Sequence, residues 1–254
     1  MIFAKPGTYK ECGLFSFGHF SLIISTIIGI CIAIKCTKIK EKNDVKVIIM
    51  KTTILVWILE IIKIIFNLKI GNGNNINTYV PLYYCSILLY AGIFSSVKNK
   101  FIKRVGDVFL ATGGIVAGIV FIMFPTTSLL TYPIFHYISM QSFVYHGVMI
   151  YLGVIINKYK YIKIEKKDIL YYAGLILLIC IIAYIINSIF DSNLMFISKD
   201  FPASPITILY KITGRAFPIV MTTCQMTLPF YIVYGINKIL THKKFENLSC
   251  LGSE

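Results

Sequence analysis

Cys85 and His146 carry the most reactive chemistry in this chain, and both sit within apolar sequence. A thiol that can lose its proton to an imidazole is a nucleophile suited to acyl transfer. Tyr83, Gln141 and Gln225 add hydrogen-bond donors of the kind that receive a carbonyl oxyanion, while Glu60 and His136 add ionisable groups. Arg215 is one of only two arginines among 25 basic residues, and its planar fork is the natural grip for a phosphate. No ligand set has the spacing of a metal site, and no motif asks for a cofactor. Each residue also has an ordinary reading. Cys180 and Cys224 read as small hydrophobes, His146 as a bond to a neighbouring helix, and Arg215 as an interfacial anchor. Glu60 and Lys63, three apart on one helical face, read as a neutralising pair.

The elements that must hold these groups are membrane helices. The chain is 57% hydrophobic and 14% charged, with mean hydropathy +0.76, too apolar for a soluble core wrapped in a polar shell. Seven apolar runs stand out: Leu14 to Ile34, Val45 to Asn67, Val80 to Ser96, Val105 to Phe124, Phe135 to Ile156, Ile169 to Ile189 and Phe217 to Ile239. Each is long enough to cross roughly 30 Å of hydrocarbon as a helix. They lack the period-two alternation of barrel strands. The expected fold is therefore all-α, a single polytopic bundle of seven transmembrane helices over residues 1–254, with no repeat and no soluble domain.

Basic residues fall in every second gap. Seventeen of them occupy the gaps after runs one, three and five and the tail, including Lys38, Lys100, Arg104, Lys163, Lys243 and Lys244, against six in the other gaps. The positive-inside rule then predicts an outer N-terminus and a cytoplasmic C-terminus, in the plasma membrane. Anionic lipid head groups account for the net charge of +14, so nucleic acid is not an expected partner. The first run is too long for a signal peptide and lacks a cleavage site, which favours retention as a span. The seven cysteines are scattered singly, implying no disulfide framework, and Cys250 makes no prenylation box.

This orientation gathers the polar groups. At 1.5 Å of rise per residue, Cys85 lies about 10 Å below the outer end of its helix and His146 about 20 Å. Glu60, His136, Gln141 and Gln225 fall in the same half. Intramembrane polar groups mark a wet cavity or a bundle interior, so one cavity opening to the outer leaflet is expected. The segment Phe190 to Ala216 is the only outer loop large enough to cap it. Gly114 and Gly118 form a packing stripe on the fourth run, and Pro229 is expected to bend the seventh.

Read in order, several motifs resemble the YwaF-type family of bacterial integral membrane proteins, which is related to the animal transmembrane-protein-164 acyltransferases of ether phospholipids. They are Phe17-Gly18-His19, Glu60, Val80-Pro81-Leu82-Tyr83-Tyr84-Cys85-Ser86, the Gly-rich fourth run ending at Pro125, Phe143-Val144-Tyr145-His146-Gly147 and Asn193-Leu194-Met195-Phe196. The resemblance implies a Cys and His site that moves acyl chains between membrane phospholipids. His146 matches the family histidine. Tyr83 stands where bacterial relatives often carry histidine, and Leu82 where the animal branch places its cysteine, three residues before Cys85. Three readings stand at this point: a Cys85/His146 acyltransferase, a transporter or lipid-binding protein without chemistry, and a catalytically silent relative serving as an assembly partner. The oligomeric state and the lipid donor and acceptor are not legible.

Overall fold

The computed structural model describes residues 1–251, with side chains through residue 240, so Lys243, Lys244 and Cys250 lie outside the described side chains. Among the described residues every regular element is helical. Ten α-helices follow in order: α1 (Phe17–Cys36), α2 (Lys42–Lys69), α3 (Ile87–Ser96), α4 (Lys100–Ala111), α5 (Gly113–Met123), α6 (Thr126–Leu129), α7 (Tyr137–Lys158), α8 (Ile169–Phe190), α9 (Ile206–Thr213) and α10 (Phe217–Leu251).

Five helical stretches are long and apolar enough to cross a membrane: Phe17–Cys36, Lys100–Met123, Tyr137–Lys158, Lys166–Phe190 and Ile206–Leu240. The expectation of seven long helices is met only in part. α2 has the length, at 28 residues, but carries Lys51, Glu60 and Lys63 along its middle. The third run is helical only from Ile87, because Pro81 lacks an N–H and holds its predecessor in extended backbone. α4 and α5 share one column broken at Thr112, whose φ of −125° and ψ of −80° depart from helix.

Capping explains where the helices start. Ser16 accepts from the His19 N–H to begin α1, and Asn99 accepts from Phe101 and Ile102 to begin α4. Glu41 and Asp44 form a capping box on α2. The backbone bonds of Asp44, at the N–H groups of Lys40 and Glu41, hold its carboxyl below its ordinary pKa of 3.8.

The core lies where α3, α4 and α7 meet α2 and α8, with Ile49, Leu89, Phe109, Met149 and Tyr172 buried there. At the basic end two ion pairs lock it. Lys103 Nζ reaches Asp107 at 2.6 Å and the Tyr161 hydroxyl at 2.7 Å, while Ser95 donates to the same Asp107. Arg104 donates to Asp168 from Nε at 2.9 Å and to the Lys163 carbonyl at 2.7 Å. Lys103 and Arg104 thus have a packing role beyond orientation. α1 is peripheral, with 6% of its apolar window buried, and touches α7 through Thr26 against Gly147 and through a Thr37–Tyr151 hydrogen bond of 2.7 Å.

Two helices approach closely beside the site. A Cβ at Gly118 of α5 would lie 2.8 Å from the His146 carbonyl and 2.6 Å from Ile150 Cγ1, so α5 and α7 meet there only because the side chain is absent. α10 continues through Pro229, which leaves the Gln225 carbonyl four residues earlier without its helical donor. The Tyr172 hydroxyl of α8 donates to that carbonyl at 3.2 Å. Since Tyr172 spends its proton there, the Tyr84 hydroxyl is the donor in the Tyr84–Tyr172 bond.

Candidate functional site

The irregular stretch before α3 places Cys85 in the turn at the helix start, not partway down a continuous helix as the apolar run suggested. Three of its carbonyls are satisfied from elsewhere in the chain. Tyr90 donates to Pro81, the Met195 N–H to Leu82, and Tyr145 to Cys85, at 3.1, 3.1 and 3.3 Å. The N–H groups are not: those of Tyr83, Tyr84, Cys85 and Ser86 donate to no main-chain carbonyl. Orphan N–H groups at a helix start carry its positive end, which favours an oxyanion formed beside them. Non-helical backbone at membrane depth persists where it lines a cavity, and this stretch does so.

The cavity is about 480 Å³. It brings together Cys85, His146, Tyr83, Glu60, Gln141 and Gln225 from four parts of the chain. One end is polar, with Asn67, Asn77, Thr78 and Ser204. The other is an apolar slot between α5 and α10, lined by Val116, Val120, Leu228 and Ile232. Val120, Leu228 and Ile232 are about half exposed, so the slot opens on the apolar surface of the bundle. The loop after α8 forms the cap, contributing Phe196, Phe201, Ser204 and Pro205. Met195 and Phe196 take φ of 56° and 53° there, and the Gln225 amide fixes the turn by donating to the Met195 carbonyl at 2.8 Å.

His146 is 4% exposed and held on both sides. Its ring stacks on Phe121 with centroids 3.6 Å apart, and Nδ1 lies 2.7 Å from the Ser142 carbonyl one turn back. A carbonyl only accepts, so Nδ1 carries the proton and the neutral ring keeps its lone pair on Nε2. Nε2 is buried and has no hydrogen-bond partner. Cys85 and His146 share the cavity but are not hydrogen bonded to each other.

The remaining expected residues are used differently. Tyr83 lines the cavity, with its hydroxyl bound to the Asn77 carbonyl at 3.0 Å and its ring on Phe196. Gln225 has its amide committed to Met195, whereas Gln141 is buried with only a weak 3.5 Å contact from Ser142. Two residues stand outside. His136 caps α7 by accepting from the Ile138 N–H and bonds Ala4 through Nε2 at 3.1 Å. Arg215 lies exposed in the short turn Gly214–Ala216 before α10. Sequence reasoning missed the cap residues Phe196 and Phe201 as cavity walls and Lys63 as a cavity group. Lys63 was visible one turn from Glu60, but pairing with Glu60 accounted for it. Among the described residues no group of three or more His, Cys, Asp or Glu could hold a metal ion.

The model of the TMEM164 family matches residues 14–234, from just before α1 to deep within α10. Comparison with curated proteins and with solved structures returns no significant match.

Proposed function

The chain belongs to the TMEM164 family, and from that premise we propose that it is a membrane-embedded acyltransferase acting on phospholipids through Cys85 and His146. The observation that carries the reading is a buried, unpartnered His146 Nε2 sharing a half-polar, half-apolar cavity with a cysteine at a helix start. The seven apolar runs all cross the plasma membrane, with the N-terminus outside, and the apolar slot admits lipid laterally from the outer leaflet.

The chemistry proceeds as two transfers. His146 Nε2 takes the Cys85 proton, and the thiolate sulfur bonds to the ester carbonyl carbon of a phospholipid. The oxyanion meets the orphan N–H groups at the start of α3, with Gln141 as a side-chain donor. The ester C–O bond breaks, His146 returns the proton to the departing glycerol oxygen, and lysophospholipid leaves with the acyl chain held as a Cys85 thioester. A second lysophospholipid hydroxyl then gives its proton to Nε2 and attacks the thioester. The thiolate departs and recovers that proton. Phe121 and Ser142 keep the imidazole in one orientation and one tautomer throughout.

Purified full-length protein, given phospholipid with a labelled acyl chain and unlabelled lysophospholipid, is expected to exchange label and to accumulate an acyl adduct on Cys85 detectable by mass spectrometry. Cys85→Ser and His146→Ala are each expected to lose exchange by a factor of about 100 or more. Exchange that persists in Cys85→Ser rules out the thioester.

A further inference from the structure

Lys63 is the only lysine or arginine lining the cavity among the described residues. It sits on α2 with Nζ 2.7 Å from Glu60 Oε1, and its side chain is 25% exposed against 3% for the carboxylate. Among the described residues Glu60 is the one partner that the ammonium has. One carboxylate contact leaves two of the ammonium's three N–H directions uncommitted.

The protein's other buried ion pairs are built differently. Asp107 has both Lys103 and Ser95, Lys103 also has Tyr161, and Arg104 adds the Lys163 carbonyl to its two bonds with Asp168. In each of those pairs the cation has two or more acceptors, the further hydrogen bonds that help a buried ion pair to offset desolvation. Lys63 has Glu60 alone, and this pair lines the cavity. A cation with unused donors in a low-polarity cavity is an anion-binding group.

We propose that Lys63 binds the phosphate of the lipid in this cavity, so that the site selects phosphate-bearing glycerolipids over neutral ones. The inference rests on the acyltransferase reading for its lipid ligand and adds the group that recognises the head. Its position suits that task. Lys63 is within electrostatic range of both Cys85 and His146, and the ester carbonyls of a glycerophospholipid lie only a few bonds from its phosphorus. The polar end of the cavity beyond it, with Asn67 one helical turn along α2, leaves a hydrophilic space for the head group, while the slot between α5 and α10 takes the chains. Arg215, exposed and outside the cavity, has no part in it.

Binding tests this without turnover. Full-length Cys85→Ser protein in detergent is titrated with dioleoyl phosphatidylcholine and, separately, with dioleoylglycerol, and lipid occupancy is read by native mass spectrometry. The expected preference for phosphatidylcholine is about tenfold or more, the factor supplied by a hydrogen bond to a charged group. Lys63→Met is expected to erase the preference, Lys63→Arg to keep it, and Glu60→Gln to raise it several-fold by freeing the ammonium. An unchanged preference in Lys63→Met overturns the proposal. If that variant fails to fold, Glu60→Gln with Lys63→Met removes both charges together, and a preference that survives in this double variant overturns it equally. Failure of the acyltransferase reading is a separate result: wild-type protein shows the lipid preference but forms no acyl adduct on Cys85.

Discussion

The link between Pro229 and the turn that carries Cys85 yields the most demanding prediction. Tyr172 is wholly buried, donates to the Gln225 carbonyl left free by Pro229, and accepts from Tyr84, the neighbour of Cys85. Tyr172→Phe removes one oxygen and little volume, so its cost is polar: the Gln225 carbonyl loses its donor and the Tyr84 hydroxyl its acceptor. A buried group left unsatisfied costs about 1–3 kcal/mol, while hydrogen bonds between helices in membranes average about 0.6 kcal/mol. Two such losses together give about 1–3 kcal/mol. Pro229→Ala restores a main-chain N–H four residues after Gln225, which repairs one of the two. In the Tyr172→Phe background the alanine should therefore stabilise by about 1 kcal/mol more than it does in the wild-type background.

Unfolding of the four proteins in mixed dodecylmaltoside and dodecylsulfate micelles, followed by circular dichroism, measures that coupling. Tyr172→Phe should also slow acylation of Cys85, and Pro229→Ala should not rescue this, because Tyr84 remains without its acceptor. Strict additivity of the two stability changes would refute the assignment of Tyr172 as the donor that replaces the proline's missing N–H.

Three further outcomes follow from packing and charge. Gly118→Ala sets a methyl against the His146 carbonyl and Ile150, so it should destabilise by about 1–3 kcal/mol in the same micelle assay and lower acyl exchange by shifting Phe121 from the imidazole. Arg104→Met strands the buried Asp168 carboxylate and should cost about 3–5 kcal/mol, with most of it recovered in Arg104→Met/Asp168→Asn. Asp44 has a folded pKa below its ordinary 3.8, so its contribution to the start of α2 is present above that value and is lost as pH falls through the lower folded one. Asp44→Asn should lower stability at neutral pH and change little below the folded pKa, which flattens the acid limb of the stability profile; an unchanged acid limb would remove the capping box as its cause.

Much of the architecture is legible in hydropathy, because a helix that crosses hydrocarbon must be apolar for about 20 residues and ends in caps and charges that sequence displays. Ser16, Asn99 and the Glu41–Asp44 pair are such ends. The third run shows what hydropathy cannot convey. Val80 to Ser96 is apolar throughout, yet its first seven residues are not helix, since apolarity reports burial and does not specify backbone geometry. Pro81 was the available signal. Its consequence depended on partners far along the chain, Tyr90, Met195 and Tyr145, whose donors allow the carbonyls of the open stretch to be buried.

The same distinction separates the candidate site residues. His136, Arg215 and His146 are alike in the sequence as polar groups near or within apolar runs, and depth along a helix could not tell a cap from a cavity wall. What distinguishes them is where their hydrogen-bonding capacity goes. His136 spends both ring nitrogens on backbone, at Ile138 and Ala4, and is thereby structural. His146 spends one, on Ser142, and retains Nε2. Lys63 repeats the pattern against Lys103, one ammonium with a single partner in a cavity and the other with two in the core. In a low-polarity bundle an uncommitted donor or acceptor is costly, and the proposed lipid ligand is what would satisfy it beside Cys85.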